Sequence, residues 1–290
     1  MLDTIRSEIL ERRSIATEPD CRNMHALLKL GGKIYQSAVL IFGVAYLGMV
    51  GLLYTLISTP LRPFLPRKAG AWFGRNSIGW WYRSYLAILQ ASGILKLELK
   101  ALDALRNERG LIVAPNHPCL LDAVLVMSRL PDITCIMKAE IRDSLVLGGV
   151  ARLAGYIQND SASKMIRHAT EELHAGCQLL IFPEGTRTRR NPVNDFKGGF
   201  ALIAKKAGVP IQTVFIETNS AFLGKGWPIL KRPPMPLIYR ARLGRRFHVE
   251  GDVKEFVREL ENYYRTEITP DVPARAAPPV LQSRSPTPAP

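Results

Sequence analysis

A histidine and an aspartate five positions apart, in Asn116-His117-Pro118-Cys119-Leu120-Leu121-Asp122, are the residues of this sequence best suited to proton chemistry. An imidazole titrates near neutral pH, and a carboxylate about one helical turn on can fix its tautomer and stabilise the imidazolium. No serine nucleophile accompanies the pair, so the simplest reading has His117 taking a proton directly from a substrate hydroxyl. Such a role supplies roughly a hundredfold to ten-thousandfold in rate. Cys119 offers a competing chemistry, a thiolate nucleophile with His117 as its base, although a free cysteine is more often an inert, buried small hydrophobe. A second group, Phe182-Pro183-Glu184-Gly185-Thr186-Arg187, combines a glycine that permits close backbone approach with a guanidinium. Arg187, with Arg189 and Arg190 behind it, suits bidentate contact with an oxyanion.

Each group follows an apolar run, Leu111 to Ala114 in the first case and Leu179 to Phe182 in the second. Both therefore fall where a strand should end, and ligands of open α/β sheets bind beyond the carboxyl ends of strands. Strands are expected at Leu111 to Pro115, Ile133 to Lys138, Gly155 to Gln158, Gln178 to Phe182, Pro210 to Glu217 and Leu237 to Leu243. Helices are expected over 119–130, 144–153, 161–175, 196–207 and Val253 to Arg265, with Pro118 at the first helical position after the histidine. The alternation predicts an α/β domain, a mixed and largely parallel sheet flanked by helices.

The 290 residues carry a net charge of +14, which calls for an anionic partner, a membrane surface or a nucleic acid. Ile34 to Ile57 contains no charged residue, and a helix of that length would cross a hydrocarbon core of roughly 30 Å. It is read as a membrane segment rather than a signal peptide. Pro60, Pro63 and Pro66 end it, and residues 70 to 95 read as an aromatic helix. On that helix Asn76, Arg83 and Gln90 form a polar stripe opposite Ile78, Trp81, Tyr85 and Ile88. Trp72, Trp80, Trp81, Tyr82 and Tyr85 suit a lipid headgroup boundary, and the alternative is a helix packed on the catalytic domain. An N-terminal membrane helix or helical hairpin is thus expected. Arg22, Lys29 and Lys33 precede the apolar segment, and Arg62, Arg67, Lys68 and Arg75 follow it. That difference weakly favours a catalytic domain on the cytoplasmic face of the cell membrane, and a re-entrant hairpin with both flanks cytoplasmic would explain the near balance. The aromatic residues lie beside the membrane segment rather than among the basic ones, and no nucleic-acid-binding signature is present. The four cysteines, Cys21, Cys119, Cys135 and Cys177, form no C-x-x-C pair and predict neither a metal site nor a disulfide framework. The expected organisation is a leader over 1–33, a membrane-embedded segment over 34–95, a catalytic domain over 96–269 and a disordered tail over 270–290 rich in Pro, Ala and Ser.

Asn-His-x-x-x-x-Asp followed by Phe-Pro-Glu-Gly-Thr-Arg, behind an N-terminal apolar helix, resembles the glycerolipid acyltransferase family, whose members include 1-acylglycerol-3-phosphate acyltransferases. The resemblance implies that His117 is the general base and Asp122 its orienting partner. It implies that Glu184, Gly185, Thr186 and Arg187 bind the acceptor, with Arg187 contacting phosphate and Lys197 in a further family segment, Phe196-Lys197-Gly198. Val209-Pro210 resembles the family's last block, expected to be structural and to line an acyl tunnel. The implied reaction is direct acyl transfer from coenzyme A or acyl carrier protein to a lipid hydroxyl, with no cofactor and no metal. Two departures stand out. Pro118 and Cys119 replace a more polar pair, and Gly155-Tyr156-Ile157-Gln158-Asn159-Asp160 lacks the arginine expected in the family's second block. Two acceptor classes therefore remain open, 1-acylglycerol-3-phosphate and a non-phosphate lipid of the ornithine-lipid or polyene type. Retention of both His117 and Asp122 argues for an enzyme over a catalytically silent lipid-binding relative.

Overall fold

A computed structural model describes residues 2–138, 143–190, 192–228 and 231–268, with side chains from residue 23 onward. Two long helices open the chain, α1 (Leu2–Leu61) and α2 (Arg67–Ala91). There follow β1 (Leu95–Glu98), β2 (Leu111–Pro115), α3 (Asp122–Arg129), β3 (Ile133–Met137), α4 (Gly148–Leu153) and β4 (Ile157–Gln158). The remaining elements are α5 (Ala162–His174), β5 (Gln178–Leu180), α6 (Gly199–Ala207), β6 (Ile211–Thr218), β7 (Leu237–Phe247) and α7 (Val253–Glu267).

The strands form one seven-stranded sheet in the order β1-β7-β6-β2-β5-β3-β4. All neighbours are parallel except β6 and β7. The largely parallel sheet matches the expectation. Its central strand β2 is buried along its whole length, as a strand covered on both faces must be. Val113, Leu180 and Val214 point into a core shared with α2, α3 and α4. Ile112, Ala114 and Phe215 point the other way, into a core built with α5, α6 and α7. The N-terminus of α7 is capped by Asp252, whose side chain accepts from the backbone N–H groups of Lys254 and Glu255.

Several boundaries move. Helix α3 starts at Asp122, so Pro118 sits in a turn and not at the first helical position. Strand β5 stops at Leu180, although Ile181 N–H still donates to the Val113 carbonyl at 3.1 Å before the chain turns at Pro183. The strand β1 and a short 3-10 helix at Lys100–Leu105 were not anticipated. No break separates the expected leader from the apolar segment, since both lie within α1. The tail over 270–290 lies outside the described residues.

The aromatic helix divides its residues. Trp72 and Trp80 are exposed, while Ile78, Trp81 and Tyr85 are buried. Tyr85 stacks on Tyr46 and Trp81 on Tyr54, joining α2 to α1 in an antiparallel hairpin. Arg75, counted from sequence among the cations flanking the membrane, is instead 3% exposed. Its Nη2 donates to Glu172 at 2.6 Å and its Nε to the Ala154 carbonyl at 2.9 Å, which fastens α2 to the domain.

Candidate active site

The loop between β2 and α3 holds the histidine in a fixed pose. The Asn116 side chain continues the β2–β6 ladder by one residue: its Nδ2 donates to the Ile216 carbonyl and its Oδ1 accepts from Ile216 N–H. His117 comes next, its backbone N–H donating to Glu184 Oε1 at 2.9 Å and its carbonyl accepting from Thr188 N–H at 2.7 Å. The imidazole lies on the Phe182 ring, with centroids 3.8 Å apart and planes 17° off parallel. Its Nδ1 is 2.8 Å from Asp122 Oδ2. That bond leaves Nε2 as the nitrogen able to take a proton.

Asp122 is completely buried at the first turn of α3. Oδ2 also accepts from the Cys119 backbone N–H at 2.8 Å, and Oδ1 accepts from Cys119 Sγ at 3.0 Å. Burial pushes the Asp122 carboxyl above its ordinary range, while the bonds from His117 and Cys119 pull the other way. The Cys119 thiol is fully buried. Burial, then the Asp122 charge, push it well above the ordinary thiol range. It serves as an S–H donor to the carboxylate, an arrangement opposed to nucleophilic attack, which needs a thiolate.

The second loop is stitched to the first through Glu184. This side chain is 1% exposed and accepts from His117 N–H, from Thr188 Oγ1 at 2.7 Å and from Asn194 N–H at 2.8 Å. Burial pushes its carboxyl up, against the pull of these donors. Glu184, expected from sequence to meet the acceptor, braces the two loops. Gly185 turns at a φ of 66°, with the Lys197 side chain packed over it. Lys197 is exposed, and its backbone N–H donates to the Pro183 carbonyl. Arg187 Nη1 donates to the carbonyls of Leu223 at 2.9 Å and Gly224 at 3.2 Å. Among the described residues its Nε and Nη2 edge makes no bond, and that edge suits an oxyanion. Thr186 accepts from Lys225 Nζ. Val209-Pro210 lies where β6 begins, and β6 runs parallel to β2 with Ile211 beside Ile112. This pair is therefore at the opposite end of the sheet from His117.

The sequence reading missed Phe182 as the ring beneath the histidine, Thr188 and Asn194 as partners of Glu184, and the β6–β7 loop altogether. For that loop the available signal was a cation between two glycines, Gly224-Lys225-Gly226, just beyond an apolar strand.

A family model described as Acyltransferase matches residues 96–217. A lyso-ornithine lipid O-acyltransferase of Pseudomonas aeruginosa is 35% identical over 163 residues, 55% of each chain. The human 1-acyl-sn-glycerol-3-phosphate acyltransferase beta is 27% identical over 161 residues, 50% of this chain and 53% of that one. The chain thus spans about half the length of these curated relatives. The crystal structure of the 1-acyl-sn-glycerophosphate (LPA) acyltransferase PlsC from Thermotoga maritima has a similar fold. Its TM-score is 0.60 at 21% identity, covering 81% of this chain and 94% of that one. The matched region 96–217 contains both the His117 loop and the Arg187 loop, and over that region the chain is similar to the acyltransferases of glycerolipids and ornithine lipids.

Proposed function

We propose that this chain is a membrane-bound O-acyltransferase that moves a fatty acyl group from a thioester to the hydroxyl of a lysolipid with an anionic headgroup. The observation that carries the reading is the His117–Asp122 pair, locked at 2.8 Å through Nδ1 and bonded directly to the loop that presents Arg187. The acceptor hydroxyl gives its proton to His117 Nε2 while its oxygen attacks the thioester carbonyl. Collapse of the tetrahedral intermediate expels the thiolate, which recovers the proton from the imidazolium. Acyl-CoA or acyl carrier protein is the donor. The first acceptor is 1-acylglycerol-3-phosphate, with its phosphate on Arg187.

A lyso-ornithine lipid is the second acceptor. Similarity to the Pseudomonas enzyme of that name and the missing arginine in 155–160 support it. On this reading the catalytic domain lies on the cytoplasmic face. With Arg75 drawn into the protein, three cations remain on each side of the apolar segment, Arg22, Lys29 and Lys33 against Arg62, Arg67 and Lys68, as expected when both flanks face the same side.

The test incubates the purified full chain with labelled acyl-CoA or acyl carrier protein and a panel of lysolipids with and without phosphate. Transfer to 1-acylglycerol-3-phosphate is expected. Transfer confined to phosphate-free lipids replaces the acceptor, and transfer to none removes the reading.

A further inference from the structure

The β6–β7 loop is built into the site by bonds to both of its other loops. The Leu223 carbonyl accepts from Leu120 N–H at 3.1 Å, in the histidine loop, and from Arg187 Nη1, in the basic loop. To reach both, Leu223 adopts a φ of 56°, a left-handed conformation uncommon for a leucine. Gly224 follows without room for a side chain, since a Cβ there would lie 2.8 Å from the Ala221 carbonyl oxygen. The loop is anchored on either side: Phe222 is buried and meets Trp227 edge-on, with centroids 6.1 Å apart.

Lys225 stands on this fixed loop. Its Nζ donates to Thr186 Oγ1 at 2.9 Å, beside Arg187 in sequence, which leaves two of its three donors unused. Among the described residues it has no carboxylate partner; its charged neighbours are Arg189, Lys138 and Arg187. Partial desolvation, then repulsion from those three, holds the ammonium below the ordinary lysine range. Four cations with no carboxylate partner among the described residues favour an anion among them.

We propose that Lys225 is a further acceptor-binding residue, one that holds the headgroup oxyanion beside Arg187 in place of the arginine absent from 155–160. The assignment rests on the acyl-transfer reading given above. The oxyanion is the phosphate of a lysophosphatidic acid or the carboxylate of a lyso-ornithine lipid, and both are assayed. A lysine offers a compact charge with rotatable donors and so accommodates either geometry.

The experiment measures steady-state kinetics of the full chain in detergent for wild type, Lys225→Ala and Lys225→Arg. Each is assayed with 1-acylglycerol-3-phosphate and with lyso-ornithine lipid, and melting temperatures confirm folding. A hydrogen bond to a charged group predicts that Lys225→Ala raises the acceptor KM at least about tenfold. The donor KM should not move, and Lys225→Arg should restore most of the affinity. An acceptor KM that is unchanged in Lys225→Ala, or a loss seen only in the donor KM, overturns the assignment. A wild type that acylates neither lipid instead overturns the acyl-transfer reading beneath it.

Discussion

At the scale of single residues, the site separates two jobs that the sequence motif runs together. In the proposed reaction His117 takes the proton of the reacting hydroxyl, while Asp122 bonds its ring, Glu184 its backbone and Cys119 the Asp122 carboxylate. His117→Ala should therefore lose on the order of a hundredfold to ten-thousandfold in rate with little change in melting temperature, because its ring is partly exposed. Cys119→Ala should keep most of the rate, since the thiol only donates to Asp122. Losing that donor weakens the stabilisation of the carboxylate, so the acid limb of the pH–rate profile should move to higher pH. Cys119→Ser should move it back. A Cys119→Ala variant as dead as His117→Ala would reinstate the covalent mechanism. Asp122 makes a prediction of opposite sign for stability. Its folded carboxyl lies above the unfolded one because of burial, so the fold binds this proton more tightly than the unfolded chain does. That contribution is full below the ordinary aspartate pKa and fades as pH rises through the folded value. Asp122→Asn should abolish turnover, yet melt at or above the wild-type temperature at neutral pH, with the gap closing under acid. A pH series of thermal melts checks this; an asparagine variant less stable at neutral pH and equal to wild type in acid would show that the charge stabilises the fold.

At the scale of elements, glycines set how closely the helices of the N-terminal hairpin approach the domain. A Cβ on Gly149 in α4 would sit 2.7 Å from Thr55 Cα and 2.9 Å from Ser58 Oγ, both on α1. A Cβ on Gly74 in α2 would lie 2.7 Å from the backbone nitrogen of Ala154, just after α4. Such contacts let helix backbones pack without intervening side chains. Gly149→Leu should push α1 off α4 and cost about 1–3 kcal/mol, read as a lower melting temperature in detergent. An unchanged melt would mean that α1 is merely tethered. None of this docking was legible in the sequence, because hydrophobic periodicity gives a helix an apolar face without naming its partner. The same limit explains Trp81 and Tyr85, assigned to headgroups and found against Tyr54 and Tyr46. The strands around the site were legible, since β2, β5 and β6 are apolar runs that each end at a loop or turn. Strand β1 was not, because Leu95-Lys96-Leu97-Glu98 is short and half-polar, and only its pairing with Leu237 to Arg240 makes it a strand. The contact between His117 and Asp122 could be read from their spacing. The brace at Glu184 could not, because a motif records which residues recur and not which way a carboxylate turns.

At the scale of the whole molecule, the open matter is how α1 sits in a lipid bilayer. Asn23–Phe64 is long and apolar enough to cross one, with an 18-residue stretch of mean hydropathy 2.1, and Leu27, Ile34, Ile41, Val44 and Leu56 are exposed along it. Its partners argue against an upright crossing. Tyr35 donates to the Ser92 carbonyl, Tyr46 pairs with Ser84, and Thr55 donates to the Val146 carbonyl. The apolar segment thus lies along α2 and α4 for much of its length. Were α1 upright, these elements would share its depth, and with them Arg83, whose Nε donates to the Ser128 carbonyl. Charged side chains within the hydrocarbon are costly. A hairpin lying in the interface avoids that cost and turns Trp72, Phe73 and Trp80, all exposed, toward lipid. The protein should resist extraction by high salt and yield to detergent. Cysteines placed at Lys29 and Arg67, one on each flank, should react with an impermeant maleimide from the same side of sealed vesicles, measured against the unsubstituted chain. Labelling of the two from opposite sides would establish a full crossing, and would require α2 and α4 to part from α1 in the membrane.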